Sequence, residues 1–317
     1  MKRILILFWL SVAVVSALTT PPVAALREEG GWRILTSNGI ANHPTGAFPN
    51  ANNPNTVSPQ AYEFRMTLKP KAAPKPTPSE RAFFGVAVNG VPFEPGTAEF
   101  WKRDPRSGWV AEAKSGQVNL GLDEHDAHVQ PNGAYHYHGL PTGLIQSLNG
   151  AKPDQMLLLG WAADGFPIYA ARGHQAPMDA TSPLVPMRSS YRLKKGTRPA
   201  GDEGPGGKYD GYYTQDYEYA AGQGDLDECH GRFGVTPEHP EGIYHYYITD
   251  EFPYMSRMWK GEADASFQKQ GGGPPGGGRG RRGGPGGPGG PGFGPPAPGM
   301  GPRGGPPVAD RQEADLC

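Results

Sequence analysis

Four histidines crowd into one short stretch of this chain: His125, His128, His136 and His138. The last two belong to Tyr135-His136-Tyr137-His138, near the end of "GLDEHDAHVQPNGAYHYHG" (121–139). Alternate side chains of a strand share a face. His136 and His138 should therefore point one way, and Tyr135 and Tyr137 the other. At the usual strand rise their Cα atoms would lie roughly 6–7 Å apart, a spacing from which two imidazoles reach one metal ion. His125 and His128 sit on the preceding loop, near enough in sequence to fold back toward the pair. Three or four imidazoles suit Zn²⁺ or Cu²⁺. Copper fits a protein outside the cytoplasm with tyrosines nearby, and nothing in the sequence excludes zinc.

The competing reading is an aromatic strand whose histidines are satisfied by Asp123, Glu124 or Asp126. For a single histidine that would be the default; four in one loop–strand unit favour a metal. Familiar metal patterns do not match. There is no His-Glu-x-x-His. A cupin-like site would want a glutamate after the His-x-His pair, where "GLPTGL" has none. A metallo-β-lactamase pattern would want Asp and His where Leu140 and Pro141 stand. Nucleophilic catalysis finds little support: Ser115 and Ser147 lack a G-x-S-x-G elbow. Cys229 and His230, adjacent on a strand, would point apart.

The pattern has an echo in "GDLDECHGRFGVTPEHPEGIYHYYIT" (224–249). Both stretches open on Leu-Asp-Glu, continue with a candidate ligand (His125 or Cys229), turn, and reach Tyr-His-Tyr at 135–137 or 244–246. His128 aligns with Arg232, and His138 with Tyr247. The second copy thus keeps Cys229, His230 and His245 as candidate ligands, with His239 on its loop. Asp123 and Asp227 are candidates to orient ligands from an outer shell, or to tie turns through backbone N–H groups. Asp164, in "WAADGFPIYA" (161–170), reads as a hairpin turn with Gly165, or as a ligand or base reaching the histidines.

With these motifs the chain resembles the YHYH-domain family over about residues 60–262. The carriers are the two stretches above with "GVAVNGVPFEP" (85–95), "LLGWAADGFPIYA" (158–170) and "FPYMSRMWKG" (252–261). The family usually shows a Cys-Asn-Gly-His style turn before the tetrapeptide. Here His125-Asp126-Ala127-His128 keeps its final histidine, and Cys229-His230-Gly231-Arg232 keeps its cysteine. The resemblance implies an exported bacterial protein and no particular reaction.

The elements that must hold these residues are mostly β. Short apolar or alternating runs at 32–36, 62–68, 83–88, 134–138, 157–163, 217–220 and 243–249 read as strands between Gly, Pro, Asn and Asp turns. No long amphipathic helix is evident; single helical turns are expected near 79–84 and 250–261. The fold class is a single mostly β domain of short strands and long ordered loops, over 26–268.

The termini differ in kind. Lys2 and Arg3 precede an apolar run at 4–15, then small residues, as in a secretory signal peptide over 1–25 cleaved near 17 or 25. The run is short for a membrane span, so no stable span is expected and the protein is placed in the periplasm or outside the cell. Residues 269–317 are rich in Gly, Pro and Arg, too poor in apolar side chains to order. They read as a disordered spacer toward a wall or surface partner. The formal net charge of −1 gives no case for nucleic acid. Two cysteines, Cys229 and Cys317, do not make a disulfide scaffold. The sequence thus supports an exported copper- or zinc-binding protein. The alternatives are a metal-dependent hydrolase or oxidoreductase with an open coordination position, and a structural or adhesive surface module.

Overall fold

Residues 20–148 and 155–269 are described by the structure, a computed structural model. The N-terminal apolar run, residues 270–317 of the Gly/Pro/Arg-rich tail and with them Cys317 lie outside the described residues. In chain order the strands are β1 (Ala24–Glu29), β2 (Trp32–Ser37), β3 (Tyr62–Thr67), β4 (Thr77–Pro78), β5 (Gly85–Ala87) and β6 (Pro92–Phe93). Then come β7 (Ala127–Val129), β8 (Tyr135–Tyr137), β9 (Leu158–Ala162), β10 (Pro167–Tyr169), β11 (Arg172–His174) and β12 (Leu184–Pro186). The last are β13 (Tyr191–Leu193), β14 (Tyr217–Tyr219), β15 (Gly231–Thr236), β16 (His239–Tyr247) and β17 (Met258–Trp259). The fold is mostly β. Among the described residues the one α-helix is α1 (Thr142–Ser147). The helical turns expected near 79–84 and 250–261 are replaced by turns and short bridges, because Ser79, Ala82 and Trp259 enter backbone pairings with distant segments.

The main sheet has eight strands in the order β15-β16-β10-β9-β5-β6-β8-β7. Its centre is the antiparallel pair β5·β9, with Val86 opposite Trp161. Moving outward, each half repeats the same steps. A tight hairpin comes first, β5–β6 or β9–β10. A parallel neighbour follows, β8 beside β6 and β16 beside β10. An antiparallel edge strand closes each side, β7 or β15. The two Tyr-His-Tyr strands therefore occupy equivalent places on opposite sides of the sheet.

The repeat extends to single residues. "GVAVNGVPF" (85–93) corresponds to "GWAADGFPI" (160–168). Gly90 and Gly165 take the positive-φ position of each hairpin, at φ 82° and 89°, where a side chain would strain the backbone. Asn89 Oδ1 accepts from Val91 N, as Asp164 Oδ1 accepts from Phe166 N. Across the centre, Val88 N donates to Leu159 O and Ala163 N to Phe84 O, as a two-fold relation requires. The turn reading of Asp164-Gly165 is what the structure shows.

The core forms around this sheet. Phe84, Val86, Phe93, Leu159, Ile168 and Tyr246 are fully buried. The second sheet, β1-β2-β3, adds Leu35, Phe64 and Met66 to the same core, while β1 is exposed along its whole length. At the centre the backbones approach too closely for side chains. A Cβ on Gly160 would stand 2.1 Å from Val86 O, and one on Gly85 would stand 2.6 Å from Trp161 O. Gly160→Ala should cost about 3 kcal/mol or more, since neither strand can shift without moving its hairpin. Thermal or urea unfolding would show it; a midpoint equal to wild type would contradict a sheet centred on β5·β9.

Candidate metal centre

An aspartate sets the geometry of the first half. Asp123 Oδ1 accepts from His125 N and Ala127 N, and Oδ2 accepts from Gly46 N and the Tyr135 hydroxyl. Asp126 completes the turn at φ 54°, a conformation that short polar side chains tolerate. The chain then enters β7 in register with β8, so His128 lies directly across from His136. His138, two residues past His136, comes round to the same face, and its N–H donates to Asp126 O.

Three imidazoles meet there. His138 Nε2 is 3.0 Å from His136 Nε2 and 3.2 Å from His128 Nε2. His136 and His138 are buried, and His128 is half-buried. The other ring nitrogens decide the protonation. His128 Nδ1 donates to Leu120 O at 2.9 Å, and His136 Nδ1 donates to Ala134 O at 3.2 Å. A carbonyl only accepts, so both Nε2 atoms present lone pairs. His138 has a single ring proton to offer, and its buried Nδ1 has no hydrogen-bond partner. One proton cannot satisfy two converging lone pairs.

Burial lowers the pKa of all three histidines, with backbone acceptors and neighbouring charges as smaller influences. They are neutral near pH 7, the form that ligates. With bonds of about 2.0–2.1 Å, two nitrogens on one tetrahedral ion sit about 3.3 Å apart. The observed separations are close to that, and the three residues can hold a metal ion.

His125 is placed elsewhere. Its Nε2 donates to Pro44 O at 2.9 Å, and its Nδ1 accepts from Gly143 N at the start of α1. It sits edge-on to His43, at 4.6 Å between ring centres. Asp123 turns it away by fixing its backbone N–H. Asp123 itself ties the turn and Tyr135, and makes no hydrogen bond to the three converging imidazoles. Asp164 lies under the second half, accepting from the Tyr246 hydroxyl at 2.5 Å and from Gly261 N. Burial raises its pKa to about 6.

In the second half the same scaffold carries other side chains. Asp227 Oδ1 accepts from Cys229 N, Gly231 N and the Tyr244 hydroxyl, and His230 takes the turn at φ 55°. Arg232 faces His245 across β15·β16, where His128 faces His136. The Tyr247 hydroxyl stands 2.8 Å from His245 Nε2, in the place of the His138 ring. Cys229, His230 and His245 are not brought together as ligands. The Cys229 thiol is buried, with its pKa pushed up to about 12 mainly by burial. His230 Nε2 pairs with the Thr249 hydroxyl. Asp227 reaches Lys260 rather than an imidazole.

One site residue escaped the sequence reading. Glu94 is buried, with Oε2 3.8 Å from His136 Nε2 and a hydrogen bond from Gln130. Lys269 Nζ binds its other oxygen. Its counterpart in the second half is Tyr169, so aligning 85–94 with 160–169 would have marked the position as one where the halves diverge.

The chain is thus a duplicated, mostly β domain with a largely buried three-histidine cluster in one of its halves. The family model described as "YHYH protein" matches residues 63–261, which include both halves and the whole cluster. The chain belongs to this family. No curated protein matches it. No solved structure matches it either.

The second-half histidines give a pH signature. Burial lowers His230 to about 3 and His245 to about 4. Their contribution to stability is complete above the unfolded value near 6.5 and is lost as the pH falls from there toward 4 and 3. In NMR titration both rings should stay neutral at pH 5; a midpoint near 6.5 for either would contradict this burial.

Proposed function

We propose that this is an exported metal-binding protein that holds one copper or zinc ion at His128, His136 and His138. The observation that carries the reading is the convergence of three Nε2 atoms, two of them left unprotonated by Nδ1 bonds to carbonyls. Such a cluster is unfavourable unless a cation joins it. The second half supports the reading: the scaffold accepts Arg232 and Tyr247 where the first half has His128 and His138. His128 and His138 are therefore not required by the fold. The burial of His136 and His138 favours a held ion reached only by small species from the His128 side.

Export rests on the basic and apolar N-terminus, and the start of β1 bears on where it is cut. Asn38 bonds to Pro21 O, Val23 N and Val23 O. Cleavage after Ala17 preserves these contacts, whereas cleavage after Ala25 removes them and the first two residues of β1. Among the described residues no helix is long and apolar enough to cross a membrane.

Protein purified from its native compartment should begin at Leu18 and carry about one copper or zinc per chain by elemental analysis. No uptake of either ion after loading would sink the proposal. His128→Arg with His138→Tyr rewrites the first half as the second. This variant should fold with a near-native melting curve and lose the ion; retained binding would remove the cluster from consideration.

The reverse exchange tests the equivalence of the halves. Arg232→His with Tyr247→His should give the chain a second equivalent of bound metal in calorimetric titration. It should bind more weakly, because Tyr169 stands where the first half has Glu94. A folded variant that still takes up one ion would show that the halves are not equivalent.

A further inference from the structure

The three imidazoles are neutral, so a divalent ion among them brings two positive charges into a largely buried site. Buried charge needs a partner of opposite sign. Among the described residues, Glu94 supplies the one carboxylate within salt-bridge range of the cluster's nitrogens. Its Oε2 stands 3.8 Å from His136 Nε2, against about 3.3 Å between ligand atoms of a tetrahedral ion. Only the three imidazoles lie within 4.8 Å of one another, so the Glu94 side chain must turn toward His128 and His138 to join them. The backbone fixes the approach: Glu94 N donates to Tyr137 O, so Glu94 is anchored beside β8, between the two histidines of that strand. Gln130 donates to Oε2 and orients it.

The other oxygen faces a cation. Lys269 binds Oε1 and lies near the Phe83 ring, its nitrogen 5.6 Å from the ring centre. The segment that carries it is fastened by Phe83 N to Phe267 O and by a bridge between Ala82 and Gln268. In the second half Tyr169 stands at the position of Glu94 and donates to Glu238. The carboxylate–lysine pair and the three-histidine cluster occur together, in the same half.

We propose that Glu94 Oε2 is the fourth, charge-bearing ligand of the metal centre, and that Lys269 sets its strength by competing with the ion for the carboxylate. This rests on the three-histidine reading and specifies its donor set as three nitrogens and one oxygen. Such a set suits Zn²⁺ or Cu²⁺ and disfavours Cu⁺, which prefers softer ligands without a carboxylate. Lys269 is the first residue of the Gly/Pro/Arg-rich stretch 269–317, so the start of that stretch bears directly on metal affinity.

The test is competition titration of the full chain with Zn²⁺, and visible spectroscopy of the Co²⁺-loaded form. Glu94→Gln should weaken Zn²⁺ binding about 10- to 100-fold and shift the Co²⁺ d–d bands as an oxygen donor is lost. Lys269→Met should strengthen binding, on the order of tenfold for a unit charge removed at this range. Unchanged affinity and spectrum in Glu94→Gln, with wild type binding normally, would overturn this inference alone. Weaker binding in Lys269→Met would overturn the competition. Failure of wild type to bind Zn²⁺ or Co²⁺ would overturn the three-histidine reading, and this inference with it.

Discussion

The arrangement hangs on one carboxylate used twice. Asp123 gathers two backbone N–H groups of its own turn, a third from Gly46 and the Tyr135 hydroxyl. Asp227 does the same in the second half with Cys229 N, Gly231 N and Tyr244. Each aspartate fixes where the edge strand begins, and hence which residue faces the histidine of Tyr-His-Tyr. Strand side chains alternate with a period of two, so a slip of one residue would turn His128 to the opposite face. The aspartates act on the cluster through register rather than by touching its imidazoles.

The duplication separates what the fold needs from what the site adds. Tyrosines at 135 and 137, or 244 and 246, fill equivalent core positions, with hydroxyls bound to Asp123, Asn89, Asp227 and Asp164. Those features are common to both halves. The face of β7 and β8 that holds His128, His136 and His138 is where the halves differ. In the second half an arginine provides a permanent cation at the equivalent register position, with a tyrosine hydroxyl as partner to the retained His245. The Arg232 guanidinium donates to His174 O and lies over the Tyr247 ring, so the second half has no convergence of imidazole lone pairs to resolve.

Much of this was legible in the sequence. The alternation of Tyr135-His136-Tyr137-His138 gave the strand and the sharing of a face, and the echo matched His128 to Arg232 and His138 to Tyr247, as the registers of β7·β8 and β15·β16 bear out. Less visible was His125, whose proximity in sequence suggested a fourth ligand. Its direction depends on the hydrogen bonds of Asp123 and on α1, which no periodic pattern announces. Glu94 was invisible for another reason: it approaches through a parallel pairing of β6 with β8, a contact between segments far apart in sequence. The short strands β6, β10 and β11 have two or three residues each, too few for a periodic signal, and exist because their neighbours in the sheet supply partners.

Electrostatics and burial point the same way. Desolvation keeps the three imidazoles neutral, two are locked in the ligating tautomer, and the lone pairs meet at ligand-to-ligand distance. Whether these three nitrogens bind one ion together can be read by X-ray absorption on protein loaded with one equivalent of Zn²⁺. Three imidazole nitrogens are expected at about 2.0–2.1 Å, falling to fewer when His138 is replaced by tyrosine. A first shell built of water and carboxylate oxygens, unchanged by that replacement, would contradict it.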